Sequence, residues 1–197
     1  MIKKSISFIK KYGYVFFLIK SIELIVKFFN FNVILKLKGL FYFKTFNIKM
    51  GKNILINNSI FISKIGKNIT FYPNTIFEFG IDSEFIIGDN TLLSYGVIVS
   101  CNKKISIGND CQIGEYTSLR DTTHDYSDNG IPMKYNLDIS KEIIIGNNVW
   151  IGRGCIIMPG TIIEDGVVVG ANSIVKGYLV KDSIYAGLPL KLIKKRN

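Results

Sequence analysis

The chain has 197 residues, 48% of them hydrophobic and 20% charged, which suits one domain with a buried core and excludes a disordered polyelectrolyte. Its net charge of +10 resolves into +9 over residues 1–50, −4 over 51–175 and +5 over 176–197. A mildly acidic body between two basic ends excludes a groove that tracks a phosphate backbone, so no nucleic-acid partner is expected.

Residues 1–47 form the first predicted element, a basic and apolar helical segment. Its centre, YGYVFFLIKSIELIVKFF at 12–29, is interrupted by Lys20, Glu23 and Lys27. A bilayer span needs about 20 predominantly apolar residues, so this stretch does not read as a transmembrane helix. It also lacks the small-residue cleavage site of a signal peptide. Lysines at 3, 4, 10, 11, 20 and 27 flank aromatics as in a helix lying in the headgroup region of an anionic leaflet. The same apolar face also suits packing on the rest of the protein. Three cysteines, Cys101, Cys111 and Cys155, are odd in number and show no CxxC spacing, which predicts buried thiols in a reducing compartment. The expected location is cytoplasmic, with peripheral contact to the inner face of the membrane.

From residue 48 to 176 the chain keeps a beat of six. It is clearest in IGNNVW IGRGCI IMPGTI IEDGVV VGANSI V, where Ile145, Ile151, Ile157, Ile163, Val169 and Val175 open the units. Four places after each opener comes a small or β-branched residue: Val149, Cys155, Thr161, Val167 and Ser173. The beat runs earlier, with slips, from Ile65, Ile87 and Ile107. Neither a helical period nor simple alternation yields six, but a short strand followed by a turn does. The large aliphatic points inward, the small residue fills the interior near a corner, and Gly or Asn supplies the turn. Three sixes close a coil, and coils stacked at about 4.8 Å shield one another's interior. The predicted fold class is an all-β solenoid with an N-terminal helical segment.

The beat stops after Leu119 and resumes near Ile145, leaving a projecting loop at 120–142. Insertions in a solenoid project from one face and carry function. This one holds the chain's single histidine, His124, in THDYSD. An imidazole, with its ordinary pKa of about 6.5, is the natural base at neutral pH. Asp121 and Asp125 flank it, and Asp121 is favoured over Asp125 and Glu115 as the carboxylate that orients the ring. Residues 177–197 form a basic C-terminal segment.

THDYSD, the run IIIGNNVWIGRGCIIMPGTIIEDGVVVGANSIVKG and the closing YAGLPLKLIKK together resemble the hexapeptide-repeat acetyltransferases. The galactoside, maltose and capsular-polysaccharide O-acetyltransferases are similar in pattern over about residues 100–196. The resemblance implies a left-handed parallel β-helix and a homotrimer with sites between subunits. It also implies acetyl-CoA as acyl donor to a sugar hydroxyl of a surface polysaccharide or its precursor. In that frame His124 is the general base, with Asp121 behind it. Trp150 lies beside the pantetheine arm, and Gly152 and Ala171 let backbone approach the coenzyme. Lys176, Lys191 and Lys194, with Lys195 and Arg196, face its phosphates, although Arg153 and Lys176 depart from the small residues common in relatives. Asn102 and Tyr95 fall on the carbohydrate-acceptor side. No metal is expected, since the γ-type carbonic anhydrases of this fold need three histidines. Two further readings stay open: an N-acetyltransferase of a nucleotide-linked amino sugar, and a non-enzymatic β-solenoid scaffold at a membrane surface.

Overall fold

The structure is a computed structural model that describes residues 18, 21, 22, 25, 33–40, 42–45, 48–57, 62–127, 130 and 132–196. Most of the helical segment expected at 1–47 therefore lies outside the described residues, but 33–40, 42 and 43 are helical. From Ile48 the chain winds through about six coils of a parallel solenoid, the left-handed β-helix of its fold class.

Each coil contributes one strand to each of three faces. The first face runs through Ile48–Met50, Ile69–Phe71, Leu92–Leu93, Gln112–Ile113, Trp150–Ile151, Val168–Val169 and Ser183–Ala186. The second runs through Leu55–Asn57, Ile76–Phe79, Ile98–Cys101, Ser118–Arg120, Ile156–Ile157 and Ile174–Val175. The third runs through Ile62–Ile65, Glu84–Ile87, Lys104–Ile107, Ile143–Ile145, Ile162–Ile163 and Tyr178–Leu179.

The openers of the six-residue beat become continuous interior ladders. Phe71, Leu93, Ile113, Ile151 and Val169 stand in register on the first face. Phe77, Val99, Leu119, Ile157 and Val175 do so on the second, and Ile87, Ile107, Ile145, Ile163 and Leu179 on the third. All of these are buried, each stabilising the fold by about 1.5–3 kcal/mol relative to exposure. The small residues four places on are buried at corners, and their hydroxyls are satisfied by turn carbonyls. Thr117 Oγ1 donates to Gly152 O at 3.0 Å and Ser173 Oγ to Gly170 O at 2.7 Å. At the corner between third and first faces, side-chain oxygens cap the backbone of the preceding coil. Lys67 N, Asp89 N, Asn109 N and Asn147 N donate in turn to Asp89, Asn109, Asn147 and Asp165 at 2.6–2.9 Å.

Each end of the stack carries a further element. Phe43, from the helical segment, is buried with ring centroids 5.4 Å from both Phe71 and Phe77. At the other end Lys191–Lys195 adds antiparallel to Ser183–Ala186. The three cysteines are buried and free, as their spacing predicts. Burial, with Asp121 adding to it, pushes the Cys101 thiol up to about 12, so it stays protonated near neutral pH.

Candidate functional site

The chain leaves the fourth coil at Asp121 and returns at Lys141, and these two residues are clasped by the bond from Lys141 N to Asp121 O at 2.8 Å. Between them Thr122–His124 and Asp138–Ser140 pair antiparallel, with His124 directly opposite Asp138. The pairing sets an ion-pair geometry that the sequence did not disclose. His124 Nδ1 donates to Asp138 Oδ1 at 2.8 Å, both side chains being about half exposed. A proton fixed on Nδ1 leaves Nε2 of the neutral ring as an acceptor, and Nε2 has no hydrogen-bond partner among the described residues.

Asp121 does something other than expected. It is fully buried, and its Oδ1 accepts Asn102 N while Oδ2 accepts Lys103 N and Lys104 N, all at 2.8 Å. Thr122 Oγ1 donates to the same Oδ1 at 2.8 Å and lies 2.8 Å from Ser140 Oγ. With its oxygens consumed, Asp121 anchors the root of the hairpin and does not reach the imidazole. Asp125 is also taken: Ser127 N donates to it at 2.9 Å, and that bond holds its carboxyl below the usual carboxylate range. Glu115 sits at another corner, facing Arg153 Nε at 4.0 Å.

Successive residues of a strand face opposite ways, so the hairpin has two sides. Thr123, Asp125 and Ile139 line a groove of about 350 Å³ with Lys141, Met158 and Lys176, whereas His124 and Asp138 occupy the other side. Lys176 thus shares a corner with the hairpin, the one that leaves the second face.

The remaining candidates lie elsewhere on the prism. Gly152 and Ala171 are stacked at the corner entering the second face. A Cβ on Gly152 would stand 2.6 Å from Ala171 N, so the glycine is required by the neighbouring coil before any ligand is considered. Trp150 is exposed on the first face and lines a groove of about 180 Å³ with Gln112, Val168 and Arg196. Trp150, Val168, Ile184 and Lys194 occupy successive strands there, and Lys191 pairs with Ala186. Arg196 is partly committed, since its Nη1 donates to Gly166 O. Asn102 and Tyr95, expected together, are separated: Asn102 lies at the hairpin's corner and Tyr95 at the Gly152 corner. One chain therefore does not bring His124 to Trp150, Gly152 or Ala171, which occupy different edges of the same prism. Among the described residues no cluster of His, Cys, Asp and Glu is arranged to hold a metal.

Residues 142–177 match the family model described as bacterial transferase hexapeptide (six repeats). The Escherichia coli (strain K12) protein WbbJ, whose name assigns it to lipopolysaccharide biosynthesis as an O-acetyl transferase, is 29% identical over 158 residues. That alignment covers 77% of this chain and 73% of the relative. Galactoside O-acetyltransferase of the same organism is 31% identical over 138 residues, 68% of this chain and 64% of that protein. Among solved structures, AntD, an N-acyltransferase from Bacillus cereus in complex with dTDP and 3-hydroxybutyryl-CoA, superposes with a TM-score of 0.62 at 26% identity. The match covers 78% of this chain and 86% of that one.

Proposed function

We propose that this chain is a hexapeptide-repeat acetyltransferase with acetyl-CoA as acyl donor, that His124 is its general base and that the acceptor is a hydroxyl of a surface glycan or its precursor. The observation that carries the reading is the 2.8 Å bond from His124 Nδ1 to Asp138, which leaves Nε2 as the proton acceptor. Nε2 takes the acceptor hydroxyl proton as that oxygen attacks the thioester carbonyl carbon. The new C–O bond forms, the C–S bond breaks, and the departing coenzyme thiolate recovers the proton from the imidazolium. Asp138 holds the ring in place, and a backbone N–H of a neighbouring coil serves the oxyanion. The name of WbbJ, which places it in lipopolysaccharide biosynthesis, supports the choice of a glycan. Incubation with acetyl-CoA and a panel of sugars and lipid-linked glycans, read by mass shift, tests it; a panel with no acetylated product overturns it.

A second reading, transfer to an amine of a nucleotide-linked amino sugar, is favoured by a variant of AntD solved with dTDP-4-amino-4,6-dideoxyglucose and coenzyme A. The same panel separates the two by including amino-sugar nucleotides.

Asp138→Ala lowers kcat roughly fivefold, the equivalent of about 1 kcal/mol for an exposed ion pair, with little change in KM for acetyl-CoA. Steady-state kinetics checks this, and an unchanged kcat removes Asp138 from the mechanism.

The working form is a homotrimer in which His124 of one chain meets the coenzyme corner of the next. Support comes from the second face, where Leu55, Ile76, Ile98, Ser118, Ile156 and Ile174 align outward in a nearly unbroken aliphatic stripe. That stripe lies between the corner bearing Gly152 and the corner bearing His124. Light scattering on the eluting protein is expected to give three times the chain mass, and an active monomer overturns the arrangement.

The N-terminal segment rests on the inner leaflet of the cytoplasmic membrane. Its charge of +8 over residues 1–47 and the exposed Leu18, Ile22, Ile25, Ile34 and Leu37 support this; no helix among the described residues is long and apolar enough to cross a membrane. Co-sedimentation with anionic but not neutral vesicles is the expected result, and equal recovery with both argues against it.

A further inference from the structure

We propose that the corner between the first and second faces carries an aromatic track for a glycan chain, so that the acceptor is an oligosaccharide and not a free monosaccharide. The inference rests on the carbohydrate-acceptor reading and narrows it.

The observation begins with backbone strain. The turn at this corner needs a positive φ at its third place. Five coils supply residues suited to it: Asn53 (55°), Asn74 (63°), Gly96 (64°), Gly154 (65°) and Asn172 (57°). The fourth coil places Tyr116 there, at 59°. A bulky residue in the left-handed region is a genuine outlier, disfavoured by the contact of its Cβ with the following carbonyl. Such strain clusters at active sites and ligand clamps. The preceding coil accommodates it. A Cβ at Gly96 would stand 2.7 and 2.8 Å from Tyr116 Cδ1 and Cε1, so the ring lies across bare glycine backbone.

Tyr116 is not isolated. Tyr95 holds the second place of the turn one coil earlier, and Tyr72 the first place one coil before that. The Tyr72 and Tyr95 rings are 4.9 Å apart at 56°, beside a groove of about 340 Å³ that Lys49, Thr70 and Pro73 help to line. Tyr95 is 47% and Tyr116 65% exposed. Three rings thus cross the corner obliquely, one per coil, stepping by about the strand separation of 4.8 Å.

This pattern selects the occupant. A pyranose offers an apolar C–H face and a rim of hydroxyls, which match an aromatic face and phenolic oxygens. One ring per coil advances by close to one sugar unit, so consecutive units meet consecutive rings. A lipid chain would be served by aliphatic continuity, which this corner lacks. The track also ends where the chemistry is placed: beyond Tyr116 the same corner continues into Gly152 and Ala171, the coenzyme side. The chain's reacting end is therefore delivered to the fourth coil, with its remaining units lying back over Tyr95 and Tyr72.

The test compares malto-, cello- and galacto-oligosaccharides of one to six units as acetyl acceptors and as ligands in calorimetry without acetyl-CoA. In the parent protein, affinity and kcat/KM rise with chain length up to about three units. In Tyr116→Asn the ratio of oligosaccharide to monosaccharide kcat/KM falls roughly tenfold, as expected for losing one ring contact. Its melting temperature rises by about 2–4 °C, because the turn now holds a residue that tolerates its φ. Tyr72→Ser lowers oligosaccharide affinity without that thermal gain. Equal efficiency on short and long acceptors, or a Tyr116→Asn protein less stable than the parent, overturns the track and leaves acetyl transfer standing. Tyrosine-dependent oligosaccharide binding without acetylation of any carbohydrate supports the track and overturns the acetyl-transfer reading instead.

Discussion

His124→Ala lowers kcat by about 10²–10⁴-fold, the range a positioned general base contributes, and leaves the protein folded. Two facts make the separation clean. His124 lies on an exposed hairpin outside the three interior ladders, and its contact with Asp138 is between half-exposed groups. An exposed pair of this kind contributes up to about 1 kcal/mol, and surface substitutions commonly stay within about 0.5 kcal/mol. The acceptor hydroxyl has no other imidazole to turn to, because the chain has one histidine. Single-turnover acetyl transfer at saturating acetyl-CoA, beside a thermal melt, checks both halves. A variant turning over at the parent rate removes His124 from the chemistry, and one that melts far below the parent makes it structural.

Asp121→Asn has the opposite profile, with a large loss of stability of about 3–5 kcal/mol. The carboxylate is fully buried and accepts three backbone N–H groups and the Thr122 hydroxyl. An amide can present one oxygen to them, but its NH₂ then faces donors. At least one of the N–H groups of residues 102–104 is left unpaired, along with the amide's own hydrogens. Chemical denaturation of the variant is expected to show a lowered midpoint, and activity falls with it, since the hairpin is rooted at this residue. A midpoint equal to the parent's contradicts the anchoring role. The two variants together separate base from anchor, which their closeness in sequence does not.

The coil architecture was legible because a six-residue beat leaves few alternatives, and the ladders from Ile145 to Val175 follow the openers read from the chain. Buried threonine, serine and cysteine at the fifth place were equally readable, since only small residues fit inside a corner. The partner of the imidazole was not. Asp138 meets His124 through a cross-strand register inside the one segment without the beat, where spacing carries no information. Asp121 looked eligible by nearness alone. Corner assignment failed for a related reason. In a solenoid, neighbours are set by position within the coil, and coil length varies even outside the coil that carries the hairpin, from twenty-two residues between the partners Thr70 and Leu92 to sixteen between Val168 and Ile184. Tyr95 and Asn102 are thus close in sequence yet on different edges, whereas Trp150 and Lys194 share a sheet.

The elements added at the two ends have a consequence for how copies meet. An open parallel stack is a template on which another can grow, strand upon strand, into a fibre. Here one terminus packs an aromatic ring into the interior, and at the other the first sheet is extended by a strand running the wrong way and rich in lysine. Strand-upon-strand growth of the first sheet is thereby disfavoured at its lysine-rich end, where the added strand breaks the parallel pattern a further coil would need.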